Sequence, residues 1–102
     1  MKSLGSITFG FYNENTASNA PYLYINGVRF YFSYRTLVAV HHSKGLCVSE
    51  NRWTTTTGKH LNWLDGGSYA SKKERCNELR FRKELKRALR EARITELPEI
   101  RI

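Results

Sequence analysis

Positive charge is concentrated in the last third of the chain, and its spacing is that of a binding surface. Between Lys72 and Arg93 stand ten basic residues and four acidic ones, so this stretch carries +6 of the formal +8. Wound at about 100° per residue, Arg75, Arg82, Lys83, Lys86, Arg90 and Arg93 fall on one arc roughly 100° wide. Phe81, Leu85, Ala88, Leu89 and Ala92 fall on another. One face can dock on a core while the other meets a polyanion, because cations along a rigid rod replace the counterions condensed on a phosphate backbone. The i,i+4 pair of Glu78 with Arg82 leaves most of these cations unpaired. Nucleic acid, DNA or RNA, is the first partner expected. An acidic protein surface is the alternative, and a solvated face that only keeps the protein soluble is the plain reading.

Other chemistry-bearing residues are sparser. Gly58-Lys59 resembles a phosphate loop, but that motif needs Gly at position 53 and Ser or Thr at position 60, where Trp53 and His60 stand. The threonine run Thr54 to Thr57 with Lys59 could hold an anion at a helix N-terminus, or Thr55 or Thr56 could simply cap that helix. Lys59 and Arg29 are secondary candidates for phosphate contact. His41, His42, His60, Cys47 and Cys76 have no C-x-x-C or H-x-x-x-H spacing, so neither a metal nor a cofactor is implied. Glu50, Asp65 and His60 cannot be brought together by spacing alone, so no acid–base pair is defined and a non-enzymatic role is expected. Among the aromatics, Tyr31 alternates onto the face shared with Arg29 and Arg35 and is the one read as an exposed stacking candidate.

These residues must be positioned by a small fold. A length of 102 residues with 40% hydrophobic and 13% aromatic content predicts one domain, residues 1–102, with a single core. No apolar run approaches the roughly 18 residues that cross a bilayer, and the N-terminus lacks a signal-peptide stretch, so no membrane partner and a cytoplasmic location are expected. Two cysteines and no Asn-x-Ser/Thr sequon fit a reducing compartment, with each Cys a small buried hydrophobe.

The pattern from Ser6 to Tyr12 predicts a strand that buries Ile7, Phe9 and Phe11. Asn26-Gly27 between Tyr22–Ile25 and Val28–Tyr34 predicts a type I′ hairpin. Thr36–Val40 and Leu46–Ser49, around a turn at 41–45, predict a second hairpin. A short helix follows the threonines through Leu64 and stops at Asp65-Gly66-Gly67, where glycine supplies a left-handed cap. Ser71 with Glu74 reads as a capping box opening the long basic helix, which ends near Thr95 and Pro98. The expected fold is α+β: an antiparallel sheet of four to five strands with one short helix and a long basic C-terminal helix.

Ser33-Tyr34-Arg35-Thr36-Leu37-Val38-Ala39-Val40, then Ser49-Glu50-Asn51-Arg52-Trp53, then Thr56-Thr57-Gly58-Lys59-His60-Leu61-Asn62-Trp63-Leu64-Asp65-Gly66-Gly67, resemble a family of short bacteriophage-encoded proteins of unknown function. The resemblance covers residues 33–67 and implies a phage origin, hence the cytoplasm of an infected bacterium, without supplying catalytic residues. The resulting expectation is a small accessory protein that binds nucleic acid, or else a host-takeover or inhibitor protein on an acidic bacterial surface. A homodimer is left open.

Overall fold

The computed structural model describes residues 7–12, 19–53 and 55–97. Five strands, β1 (Ile7–Phe11), β2 (Pro21–Ile25), β3 (Val28–Ser33), β4 (Thr36–His42) and β5 (Gly45–Val48), form one antiparallel meander in chain order. Three helices follow: α1 (Thr55–Asp65), α2 (Tyr69–Lys73) and α3 (Glu78–Ala92). The α+β reading therefore holds.

The Asn26-Gly27 turn sets the register. Both residues take positive φ, 49° and 89°, as a two-residue type I′ turn requires. Ile25 then pairs with Val28, Leu23 with Phe30 and Tyr22 with Tyr31. Alternation puts Leu23, Ile25, Val28, Phe30, Phe32, Val40 and Cys47 on one face, where Phe81, Ala88 and Ala92 of α3 pack. The opposite face carries Tyr31, Ala39 and Val48, covered by Leu61 of α1. Val38 joins that second cluster because the β3–β4 register shifts at Tyr31/Phe32. The sheet is thus sandwiched between helices rather than backed by one layer.

Four sequence expectations are corrected here. Ile7, Phe9 and Phe11 share the α3 side of the sheet but remain 42–49% exposed, because α3 packs mainly on β3, β4 and β5, away from this edge strand. The second hairpin turn is shorter than 41–45: β4 runs through His42, and Gly45, with φ of 118°, already belongs to β5. The Ser71/Glu74 box does not open the long helix. Ser68 caps the five-residue α2, its side chain accepting from the Ser71 N–H, while Asn77 caps α3 by accepting from the Arg80 N–H. Thr55 and Thr56 lie inside the first turn of α1 rather than at its cap, and Thr54 and Pro98 fall outside the described residues. Gly66 and Gly67, at φ of 85° and 67°, end α1 as expected.

Cys47 and Cys76 are both buried, but they are not independent hydrophobes: they are joined as a disulfide across a Cα separation of 6.7 Å. Cys76 also exchanges backbone bonds with the end of β5, accepting from Glu50 N–H at 2.9 Å and donating to Val48 at 2.8 Å.

Candidate functional site

Helix α3 is fixed to the sheet by polar contacts that engage two of its three carboxylates, Glu84 and Glu91. Glu84 meets Nε2 of the buried His42 at 2.6 Å. His42 Nδ1 accepts from the Lys44 N–H at 3.1 Å, which leaves Nε2 as the donor toward Glu84. Glu91 takes the Ser43 N–H at 2.9 Å and the Ser43 hydroxyl at 2.7 Å. Those hydrogen bonds hold its carboxyl below the usual carboxylate range. Asn26 of the hairpin turn donates to the Ala92 carbonyl at 2.7 Å, satisfying one of the orphan acceptors at the helix end. Arg93, at φ of 62°, is the left-handed C-cap, and Ile94 N–H reaches back to Leu89.

With Glu84 and Glu91 turned toward the β4–β5 turn, the outward arc of α3 is basic. Arg82, Lys83, Lys86 and Arg90 lie on it, all exposed, and Arg93 follows at the cap. Glu78 is the one acid at its margin, bound to Arg82 at 2.7 Å and to Arg52 at 3.5 Å. Among the described residues Lys83, Lys86 and Arg90 have no carboxylate within ion-pair distance. Leu79, 68% exposed, stands among these cations.

The other predicted residues are elsewhere. Arg75 is not on the helix: it lies between α2 and α3 and grips Asp65 through Nε at 2.7 Å and Nη2 at 3.0 Å, while also bonding Asn62. Burial raises the Asp65 carboxyl, and the bonds from Arg75 and the Gly67 N–H outweigh it, leaving the group below its ordinary value. Arg75 therefore clamps the end of α1 and is unavailable to phosphate. Lys59 is exposed on α1 beside Asn62 and Trp63, on the side of the sheet opposite α3. Arg29 is on that side as well, its guanidinium 5.3 Å from the Tyr24 ring and 6.0 Å from the Tyr22 ring. Tyr31 is only 8% exposed under α1, so it is not the exposed stacking residue that the sequence indicated.

One cluster was not anticipated. Ser33 Oγ lies 2.7 Å from His60 Nδ1 and 3.0 Å from Thr57 Oγ1, joining the strand segment and the Thr-Gly-Lys-His run. Tyr12 donates to the Phe32 carbonyl at 2.7 Å and packs edge-on against His60. Burial lowers the His60 pKa and raises that of Tyr12 well above the usual phenol range. A serine and a histidine at this distance have the geometry of a nucleophile and its base. Both are 1% exposed, and their hydrogen bond ties the end of β3 to α1. Among the described residues no three His, Cys, Asp or Glu side chains converge as metal ligands would, and no helix is long and apolar enough to cross a membrane.

No curated protein and no solved structure matches the chain. A family of unknown function, DUF8033, matches residues 5–81, a span that takes in the whole sheet, α1, α2 and the first residues of α3. The Ser33–Thr57–His60 cluster and the Asp65–Arg75 clamp lie inside that span, whereas Arg82, Lys83, Lys86, Arg90 and Arg93 lie beyond it. The chain belongs to this family.

Proposed function

We propose that the protein is a small non-enzymatic accessory protein of phage type that binds nucleic acid through the outer arc of α3. The observation that carries this reading is the sorting of charge on α3: Glu84 and Glu91 are engaged by His42 and Ser43, and Lys83, Lys86 and Arg90 are exposed with no carboxylate at ion-pair distance among the described residues. Mere solubility needs no such sorting, since interspersed acids would serve it as well. The contacts are Arg82, Lys83, Lys86, Arg90 and Arg93, with Lys59 and Arg29 on a separate surface and Arg75 removed from the set. Side chains of this kind address backbone phosphates rather than base edges, so binding is largely indifferent to sequence. The phage assignment rests on the resemblance of the Thr-Thr-Gly-Lys-His-Leu-Asn run.

Titration of random duplex DNA against salt tests it. With four to five phosphates neutralised, log K should fall against log salt with a slope of about −4. The triple variant Lys83→Glu, Lys86→Glu, Arg90→Glu should lose binding while remaining folded. Absence of binding to DNA and RNA at about 50 mM salt, where such contacts are strongest, removes this reading.

A second reading, an inhibitor or host-takeover protein on an acidic protein surface, is favoured by one feature. Leu79 is exposed beside Arg52 and Arg82 in an open cleft of about 510 Å³ that Glu50 and Glu78 also line, the exposed Trp53 lies against the Arg52 guanidinium, and apolar and aromatic anchors beside arginines are common at protein interfaces. A pull-down from bacterial lysate separates the two: a protein partner that survives nuclease treatment supports the second.

A further inference from the structure

The sheet carries a second exposed surface on the side opposite α3. The register aligns Thr8, Tyr24, Arg29, His41 and Leu46 as direct cross-strand neighbours, one from each strand. All five are exposed, Tyr24 by 36%, whereas Tyr31, Ala39 and Val48 in the adjoining row are buried beneath α1. At ~4.8 Å per strand the open row runs about 19 Å. It contains no acid. Arg29 lies over the Tyr24 ring at 5.3 Å, and the two with His41 border an open cleft of about 400 Å³ that extends to the hairpin turns. Glu91, the acid of that cleft, is occupied by Ser43. At its β5 end the row meets α2, where Leu46 borders Ser71, Glu74 and Arg75.

We propose that Tyr24, Arg29 and His41 form a stacking platform for single-stranded nucleic acid. A sheet face of this width takes two or three splayed bases on aromatic and guanidinium planes, and stacking is tolerant of base identity because every base has a π face. Arg29 serves twice, with a flat surface for a base and a charge for the adjoining phosphate. A duplex cannot use the platform, since its bases are already stacked inside. The surface is separate from the α3 arc, so the two stand or fall independently.

The test compares a fluorescein-labelled 15-mer of thymidine with an abasic backbone of the same length, which has equal charge and no bases. Wild-type protein should bind the thymidine strand about tenfold more tightly or better, the contribution of one or more stacked bases. Tyr24→Leu should abolish that preference and leave abasic binding unchanged, while Tyr24→Phe, which keeps the ring and the strand preference, should retain it. The triple charge reversal on α3 should weaken duplex binding and leave the thymidine-to-abasic ratio in place. Equal affinity for the two strands in the wild type, or a ratio that survives Tyr24→Leu, overturns the proposal. Competition by polyglutamate as effective as that by the thymidine strand also overturns it and gives the face to an acidic protein.

Discussion

Asp65–Arg75 and Glu78–Arg82 are the same pair of groups at the same closest distance, 2.7 Å, in opposite surroundings. The Arg75 and Asp65 side chains are 7% and 11% exposed, those of Arg82 and Glu78 71% and 50%. Arg75 makes two bonds to Asp65 and a third to Asn62, so its guanidinium is committed to joining the end of α1 to the α2–α3 connection. Arg82 makes one bond to a neighbour one helical turn away and keeps most of its donors in water. A buried arginine builds the fold, and an exposed one adds little to it. The same division runs along α3, where Glu84 and Glu91 bind the β4–β5 turn and the cations face outward.

The strongest way to break this comparison is Arg75→Ala. It strands the buried Asp65 carboxylate, and urea unfolding should show a loss of about 3 kcal/mol. A loss under ~1 kcal/mol would mean that the clamp is no more structural than a surface pair. Next is Gly27→Val, expected to cost at least ~1 kcal/mol because a β-branched residue resists the positive φ of the turn whose Asn26 holds the end of α3. Since no charge changes, the salt dependence of nucleic-acid binding by the folded fraction should stay as it is.

Acid should act on the buried groups first. Asp65 sits below its ordinary 3.8 in the folded protein, so its contribution is complete above that pH and is lost as pH falls through the lower folded value. His60 is pushed below 6.5 by burial, so the unfolded chain takes up a proton first and stability declines as pH drops from 6.5 toward the folded value. Denaturation at about pH 7, 5 and 2 should show both declines, and Asp65→Asn should flatten the more acid one. The smallest effect on stability belongs to Arg82→Ala, within ~0.5 kcal/mol, together with a salt slope shallower by about 1. A large destabilisation there would place Arg82 with Arg75 among the structural arginines.

Much of the fold was legible because its signals are local. Asn26-Gly27 needs only the φ preference of two residues, and from it the pairing of Tyr24 with Arg29 could have been counted. His41 is not legible as a strand residue because the polar run His41 to Gly45 reads as the turn, whereas the chain needs only Ser43-Lys44 between β4 and β5. Arg75 was assigned to the basic arc because helical periodicity continues arithmetically through residues 74–77, where the backbone does not. Ile7, Phe9 and Phe11 alternate as a core strand should, yet nothing local reveals how far α3 extends across the sheet.

The sequence by itself determined the α+β class, the meander, the glycine-ended α1 and the amphipathic character of α3, since each depends on preferences and periods within a few residues. Only the tertiary structure decided which charges are available. Asp65 with Arg75, Ser33 with His60 and Glu84 with His42 are separated by 10, 27 and 42 positions, and whether such groups meet depends on the packing of two helices on opposite faces of one sheet. A charge becomes structural when packing removes its water and supplies a partner, and that is a property of the assembled layers.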